Sequence, residues 1–441
     1  MGKMKRMMSM ALATVMMVAG VFVITPNTVE AASAKVVYVS SADEFLNVNS
    51  KLDGKTATEI RITKDINLSG KKLSSSAISS VKAKVVGWDK AKNKAVNRTI
   101  SNVTTKYDNF YSWLIYADEV SNLTLKNVKW SLGKNAVRED AQTSLILANT
   151  VKNVTIDEAN VTTAPKSYIT AAIKDGADMN GYYAGGGVYS QRLIKIMGEN
   201  KKAVASNIKF KNITYTGKAN DQLQVSSINF YVSKGTVDNI TVDGMTLNAS
   251  IASFYPCLER AFGYNGDVSI NKVSVKNVKV KKEVSYAQMV TRYSNAKKLS
   301  NITVDGVSVD ASLEYFCGIG YIEATNVTLS NVTVKNIKVK KVKEQFAGIM
   351  TKYSTYGNTK FTLKNVDVLI KAKNLTSPYF VGFTNGKKGP TYKVTVVADN
   401  KCSYLDAYKK FTKTAKVAPT LKGTGKIKVD LKQFKAKRVT K

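Results

Sequence analysis

The chain contains no histidine among its 441 residues, and this absence excludes several kinds of catalytic site. A Ser-His-Asp triad, a Cys-His dyad and a histidine-ligated metal centre all require an imidazole ring. Chemistry in this protein would have to use carboxylates, arginine, lysine or tyrosine. Proton abstraction by a well-placed lysine or arginine, beside a cation that acidifies the substrate, is one reaction of this kind.

Cysteine is also scarce, since Cys257, Cys317 and Cys402 are the only three copies. The sequence repeat described below places Cys257 and Cys317 two repeat units apart. Two units correspond to roughly 10 Å, which is beyond the reach of a disulfide bond. We therefore expect these two cysteines to behave as small buried apolar residues.

Long apolar runs are missing after the first part of the chain. Within residues 1–34, a basic segment (3–6) is followed by an apolar run (7–24) and by small residues (31–34). This order is typical of a secretory signal peptide. It predicts removal of residues 1–34 and export of the remainder, with no membrane span left in the mature protein. A membrane anchor is the alternative.

Acidic residues are heavily outnumbered. The chain has 32 acidic and 67 basic residues, which gives a net charge of +35 at pH 7. Such a charge attracts polyanions and makes association sensitive to salt. For an exported protein the expected partners are acidic polysaccharides or anionic cell-wall polymers such as teichoic acids, and no specific nucleic acid. Alternatively, the lysines are solvated and keep neighbouring molecules apart.

A ten-residue pattern recurs along the chain. Its copies are residues 121–130, 152–161 (the weakest), 206–215, 238–247, 271–280, 300–309, 330–339 and 359–368. The last five intervals between copies lie between 29 and 33 residues. A period of roughly 20–50 residues indicates a solenoid, a propeller or another repeat array.

The interior of the pattern distinguishes among these architectures. In the copy 330–339, apolar and polar residues alternate on both sides of a bend at Lys335 and Asn336. Alternation of this kind predicts two half-buried strands, with Val334 and Ile337 in the core. Val304 and Val307 are predicted to lie in the core in the same way.

The bend itself carries asparagine or glycine in every copy but the weakest. Both residue types tolerate the left-handed backbone region. We therefore expect Asn277, Gly306, Asn336 and Asn365 to lie in one column on successive coils. Stacked asparagine amides can hydrogen-bond to one another along such a column.

Two strands from the pattern and one from the segment between copies describe an all-β chain with about 30 residues and three short strands per coil. In this respect the chain resembles the right-handed parallel β-helix of the pectate lyase/pectin lyase-like superfamily, in which each coil covers the edge of the previous one. The resemblance extends over roughly residues 35–400 and implies a monomer.

The ends of the predicted β-helix have their own patterns. Residues 35–39 are expected to form a strand, 41–52 a capping helix that begins with a Ser41/Glu44 capping box, and 59–70 the first coil. The predicted domains are the β-helix over 35–395 and a C-terminal cap with a basic tail over 396–441. In that cap we expect a helix over 403–411 and a strand over 426–434.

The resemblance also implies a cleft along one face and an acidic polysaccharide substrate, cleaved by β-elimination. Alignment of the segments between the repeat copies places four candidate catalytic residues of this cleft on neighbouring strands about 4.8 Å apart: Arg260, Arg292, Glu323 and Lys352. The candidate substrate-binding residues beside them are Tyr264, Tyr293, Tyr321 and Tyr353. A surface ladder of ion pairs and stacked rings is the alternative. The sequence motifs of polygalacturonases and the W-x-D-H pattern of one pectate lyase family are absent.

A long insertion separates the copies at 152–161 and 206–215. Its acidic and amide side chains, from Asp175, Asp178 and Asn180, are candidate oxygen ligands for Ca²⁺. Tyr182 and Tyr183, beside a run of glycines, are predicted to form an aromatic wall over the neighbouring cleft. A loop without function is the alternative.

Two functions are consistent with the sequence. One is a secreted enzyme that binds and cleaves an acidic polysaccharide, and the other is a non-catalytic surface or matrix protein that binds anionic wall polymers. The first requires carboxylates or a cation to converge with arginine or lysine over one cleft. The second requires only positive charge along an extended surface.

Overall fold

The computed structural model describes a single unit that starts at Lys35. The residues described are 35–53, 55–109, 111–137, 143–168, 189–322, 324, 326–352, 359–370, 378–384, 393–398, 403–406 and 426–430.

These residues form a parallel β-helix of about eight turns with about 31 residues per turn. Successive coils hydrogen-bond in parallel over most of their length, and within the described residues only the hairpin of β6 and β7 is antiparallel. The all-β parallel β-helix predicted from the repeat is therefore confirmed.

The N-terminal end closes with a strand and a short helix. Strand β1 spans Lys35–Val39, helix α1 spans Ala42–Leu46, and a 3₁₀ turn follows at Val48–Lys51. The helix begins as predicted, because the Ser41 hydroxyl accepts a hydrogen bond from the Glu44 backbone N–H. The Glu44 carboxylate returns to Ser40, one residue earlier than a standard capping box requires. The helix is shorter than the sequence pattern predicted.

The first coils consist of short strands. They are β2 Thr58–Ile62, β3 Ile66–Asn67, β4 Lys72–Leu73, β5 Ile78–Ser79, β6 Ala83–Asp89, β7 Lys94–Ala95, β8 Arg98–Ser101 and β9 Thr104–Tyr107. The central coils contain long strands that continue around the corners. They are β10 Trp113–Leu132, β11 Ser144–Thr162, β12 Tyr189–Thr216, β13 Asn220–Asn248 and β14 Ile251–Val280, with a 3₁₀ turn at Lys134–Ala136.

The remaining strands complete the later coils. They are β15 Val284–Gln288, β16 Thr291–Ser294, β17 Lys298–Cys317, β18 Tyr321–Ile322, β19 Asn326–Lys352, β20 Thr359–Ile370, β21 Pro378–Thr384, β22 Lys393–Ala398, β23 Ser403–Asp406 and β24 Lys426–Asp430. Strand β24 lies within the strand predicted over 426–434. The helix predicted over 403–411 is wrong for its first residues, because β23 pairs in parallel with Asp367–Ile370 of β20. That pairing satisfies backbone groups that β20 would otherwise leave open.

Most coils turn at two residues with left-handed backbone conformation, five positions apart. The first column contains Asn122, Asn153, Asn207, Asn239, Lys272, Asn301, Asn331 and Asn365. The second column contains Asn102, Asn127, Glu158, Asn212, Gly244, Asn277, Gly306 and Asn336. Asparagine and glycine dominate both columns because they adopt this conformation with little strain.

Side-chain amides connect the first column from coil to coil. For example, Asn153 Nδ2 donates to Asn122 Oδ1 at 2.9 Å, and Asn331 Nδ2 donates to Asn301 Oδ1 at 3.0 Å. Where Lys272 occupies the column, the preceding Asn271 carries the ladder instead, since Asn301 Nδ2 donates to Asn271 Oδ1 at 2.8 Å. An amide ladder is therefore present, but it runs along the first column and not along the second, for which it was predicted. In the second column, Asn212, Asn277 and Asn336 donate to aspartates of the previous coil instead.

The predicted membership of the second column is wrong at its last residue. Asn277, Gly306 and Asn336 are adjacent on successive coils, as expected. Asn365 instead lies above Asn331 in the first column, and its Nδ2 donates to Asn331 Oδ1 at 3.1 Å. The two corners carry the same local pattern five residues apart, so the sequence alone does not distinguish them.

A column of alternating charge lies directly before the second corner. The backbone register stacks Lys126, Asp157, Lys211, Asp243, Lys276, Asp305 and Lys335 in that order. Each aspartate of this column accepts a hydrogen bond from the corner asparagine of the next coil. In the last of these contacts along the chain, Asn336 Nδ2 donates to Asp305 Oδ1 at 2.6 Å. The Lys335 ammonium also lies 3.4 Å from the Asp305 carboxylate. Opposite charges stacked on adjacent strands stabilise the pairing.

One continuous apolar core fills the coils. Val304, Val307, Val334 and Ile337 are at most 1% exposed, which confirms their predicted inward orientation. Rings also stack along the core, as between Phe316 and Phe346, whose centroids are 4.9 Å apart. Cys257 and Cys317 are buried and are not joined in a disulfide bond, as predicted, and Cys402 lies outside the described residues.

Replacing Val334 with aspartate is expected to lower the free energy of unfolding by roughly 3–5 kcal/mol, because the new carboxylate has no partner inside the core. Denaturant unfolding measures this change. Lys338→Asp is the control, since the Lys338 side chain is exposed four residues along the same coil. A Val334→Asp variant as stable as the Lys338→Asp variant would contradict the inward orientation of Val334.

The alternating column predicts a salt-dependent effect at Asp305. Asp305→Lys places three lysines on successive coils and is expected to destabilise the protein by up to about 1 kcal/mol at low ionic strength. Salt should reduce this loss by screening. Asp305→Asn keeps an acceptor for Asn336 and should lose less. If thermal unfolding at low and high salt shows the same loss for both variants, the charge alternation contributes nothing.

Candidate functional site

A buried carboxylate lies on the face formed by β12, β13, β14 and β16. Glu259 is on β14, where the pairing with β13 shifts twice, between Ser226 and Ile228 and between Ile228 and Asn229. The second shift leaves Glu259 as an extra residue between Leu258 and Arg260. Such a β-bulge reorients a side chain relative to the strand. The Glu259 side chain is 1% exposed.

Two serines and two arginines surround this carboxylate. We refer to Glu259 with Ser190, Arg192, Ser226 and Arg292 as the Glu259 cluster. Arg192 binds both carboxylate oxygens, with Nη2 to Oε1 at 3.0 Å and a second bond from Nε to Oε2. The Ser190 hydroxyl donates to Oε1 at 3.2 Å, and the Ser226 hydroxyl donates to Oε2 at 3.4 Å. Guanidinium groups favour the bidentate contact that Arg192 makes with the two carboxylate oxygens.

The positive charge around Glu259 determines its ionisation. Burial acts to raise the pKa of the Glu259 carboxyl, but the guanidinium of Arg192, together with those of Arg260 and Arg292, more than offsets burial. The pKa of Glu259 therefore lies well below its usual range. Glu259 is ionised at neutral pH and serves to hold the arginines, and it is not available as a general acid.

Arg292 is held from two sides. Its Nη1 donates to Gln224 Oε1 at 2.7 Å and lies 4.0 Å from Glu259 Oε1, while its guanidinium lies 5.8 Å from the centre of the Tyr255 ring. The side chain is 19% exposed. A guanidinium fixed in this way loses little conformational freedom when it binds an anion.

Half-buried aromatic rings continue the same face. Tyr231, Phe262 and Tyr293 belong to successive coils and stack with centroid distances of 5.6 and 5.4 Å. The Arg260 guanidinium lies 5.3 Å from the centre of the Tyr231 ring. Within the described part of the chain, Arg260 forms no ion pair closer than 4 Å. We name Tyr231, Arg260, Phe262, Arg292 and Tyr293 the arginine–tyrosine face.

The register separates residues that the sequence alignment had placed in one line. Arg260 pairs with Tyr293, which in turn pairs with Tyr321, so Arg260 and Arg292 do not occupy one column. The predicted single line is therefore wrong, because β14 and β16 pair with Leu258 opposite Thr291, one residue away from the alignment assumed from the sequence. Both arginines nevertheless belong to the same region.

Other candidates are described only in part. Tyr264 and Lys352 lie on β14 and β19, and nothing further is described of their side chains. The remaining candidates lie outside the described residues: Glu323, Tyr353, Asp175, Asp178, Asn180, Tyr182 and Tyr183. Within the described ranges, no group of three or more acidic, cysteine or histidine side chains is arranged to hold a metal ion.

Sequence reasoning missed the centre of the site. Glu259 directly precedes Arg260, and Arg192 ends the long insertion, but neither was a candidate. One signal was available in Pro256, because proline inside a strand is typical of a bulge. The partners Gln224 and Ser226 carry no such signal, since only the coil-to-coil register brings them to the cluster.

Comparisons with protein-family models, curated proteins and solved structures gave no match. Among the described residues, no helix is long and apolar enough to cross a membrane.

Removing the charge of Glu259 is expected to destabilise the protein. Glu259→Gln leaves Arg192 and Arg292 without their buried partner, and we expect the free energy of unfolding at pH 7 to fall by roughly 3–5 kcal/mol. Because the folded-state pKa is lowered, the ionised carboxylate stabilises the protein above the unfolded-state value of about 4.5 and stops doing so as pH falls towards the folded-state value. The difference between the parent and the variant should therefore shrink below pH 4.5.

Urea unfolding at several pH values between 7 and 3 measures this difference. Glu283→Gln is the control, because Glu283 is exposed and its removal should change stability by less than about 0.5 kcal/mol. A difference between the parent and Glu259→Gln that stays constant over the whole range would show that the charge of Glu259 is not responsible.

Proposed function

We propose that this chain is an exported β-helix protein that binds an acidic polysaccharide along the arginine–tyrosine face. The observation that carries the proposal is the combination of fixed guanidinium groups with a stack of rings on adjacent coils. Sugar rings present apolar C–H faces and polar edges, which suit an aromatic surface beside hydrogen-bond donors. The net charge of +35 favours an anionic polymer over a neutral one.

Binding is better supported than cleavage by the residues that surround Glu259. The Glu259 carboxylate is buried and paired, and the guanidinium of Arg292 donates to Gln224 and lies close to Glu259. A general base in a lyase must instead lose its proton at working pH. Cleavage by β-elimination remains a prediction from the family resemblance, and so does a requirement for Ca²⁺.

The remaining parts of the proposal rest on the sequence. Export follows from the signal peptide predicted over residues 1–34, and a cell-wall or extracellular location follows from export. An anionic wall polymer is the other candidate ligand of the same face, because it offers the same charge without a run of sugar rings. A non-catalytic surface or matrix role fits either ligand.

Loss of Arg260 is expected to weaken binding of an oligogalacturonate about tenfold, because one charge-assisted hydrogen bond is worth roughly 1.5–3 kcal/mol. Titration calorimetry at low salt measures the dissociation constants of the parent and of Arg260→Ala. Lys364→Ala is the matched control, since it removes one positive charge from an exposed position elsewhere and should change binding less than twofold.

Additional measurements distinguish the class of ligand and test whether it is cleaved. A neutral oligosaccharide of equal length should bind weakly, and a poly(glycerol phosphate) should bind less well than the oligogalacturonate if the aromatic stack contributes. Equal losses from Arg260→Ala and Lys364→Ala would show that charge acts diffusely and would remove the case for this face. Ultraviolet absorbance of unsaturated uronate products, recorded with and without Ca²⁺, decides whether cleavage accompanies binding.

A further inference from the structure

A second concave surface lies on the early coils and shares no residue with the arginine–tyrosine face. It is a groove of about 880 Å³, which falls in the size range of small-ligand sites. Lys72, Lys106, Lys129, Lys134 and Tyr168 all contribute to its lining, and we call it the lysine groove.

The coil register explains why the lysines converge. Lys72, Thr104, Lys129 and Asn160 stack in one outward column, so its two lysines alternate with neutral polar residues. Alternate coils are roughly 10 Å apart. Lys106 follows Thr104 by two residues on β9 and therefore points to the same side of the sheet.

The charge of the groove is not balanced by neighbouring carboxylates. Within the described ranges, none of the four lysines forms an ion pair, whereas lysines of other columns, such as Lys152 and Lys335, do. One carboxylate lines the groove, from Asp108, and it already accepts hydrogen bonds from the backbone N–H and the side-chain amide of Asn135, at 3.1 and 3.2 Å.

The rest of the lining suits a sugar. Tyr168 offers a half-buried ring, and Thr104, Ser131 and Asn160 offer neutral hydrogen-bonding groups. Trp130 also lines the groove, and its buried indole N–H has no hydrogen-bond partner among the described residues. The Trp130 side chain is fully buried in the core, so it forms part of the base of the groove and does not offer this N–H to a ligand.

We propose that the lysine groove binds an anionic oligosaccharide, with its negative groups at the lysines and one sugar ring against Tyr168. Ammonium groups act as point charges and do not select the planar geometry of a carboxylate. Carboxylated and sulfated sugars are therefore both ligands of this site. The site is separate from the arginine–tyrosine face and does not depend on the function proposed for that face.

The test uses the full chain with three probes of matched charge: an oligogalacturonate, a sulfated oligosaccharide and a single-stranded oligonucleotide. Lys72→Ala with Lys129→Ala should weaken binding of the sugar probes about tenfold or more. The control is Lys279→Ala with Lys338→Ala. These exposed lysines occupy the same outward column on later coils, so the control removes the same charge from equivalent strand positions outside the groove. It should change binding less than twofold.

Each outcome has a definite meaning. If Lys72→Ala with Lys129→Ala weakens binding of only one sugar probe, the site is supported and its preferred anionic group is identified. A loss of affinity in Tyr168→Ala as well places a sugar ring at Tyr168. The loss caused by Lys72→Ala with Lys129→Ala should persist in an Arg260→Ala background, which separates this proposal from the previous one. Equal losses from the two lysine pairs would overturn the site, and an oligonucleotide that binds as tightly as the sugars would overturn its assignment to a saccharide. Thermal unfolding confirms that all of these variants remain folded.

Discussion

Backbone hydrogen bonds between successive coils place most strand residues of the described coils in columns, because each of them lies directly above a residue of the coil before it. The corners depend on the same constraint. A corner asparagine finds its hydrogen-bond partner on the neighbouring coil at the strand spacing, an amide at the first corner and mostly an aspartate at the second. Core residues, charged residues and rings are then aligned as well, since the register that matches two corners also matches all the residues between them.

The Glu259 cluster departs from this regularity and shows what an irregular strand can provide. A bulge removes Glu259 from the pairing pattern and directs a carboxylate to residues of other coils. Buried ion pairs of this kind contribute little net stability, because desolvation opposes the attraction between the charges. Their benefit here is positional, since Arg192 and Arg292 are fixed before any ligand arrives.

Much of the fold could be predicted from the sequence, because alternation and corner chemistry are local signals. They correctly predicted the coil length and the inward positions of Val304 and Val334, but they placed the amide ladder at the second corner, whereas it lies at the first. The position of Asn365 was not predictable in this way, since the two corners of a coil look alike over five residues. Only the hydrogen bond to Asn331 distinguishes them.

The candidate site was less predictable, for a related reason. Aligning Arg260 with Arg292 places the two strands one residue out of register, because β14 and β16 pair with Leu258 opposite Thr291 and Arg260 opposite Tyr293. No local signal in either strand distinguishes two registers that differ by one residue. Contacts such as that of Arg292 with Gln224 span two coils, and no pattern within a single repeat contains them.

The alternating column before the second corner limits how this solenoid can change in length. Its charge returns to the same sign only every second coil, from Lys211 past Asp243 to Lys276. Deleting or duplicating one coil would place two like charges in contact and would also remove or duplicate an acceptor for a corner asparagine. Adding or removing two adjacent coils preserves both patterns. The natural unit of growth for this part of the molecule is therefore a pair of coils, although the sequence repeat is a single one.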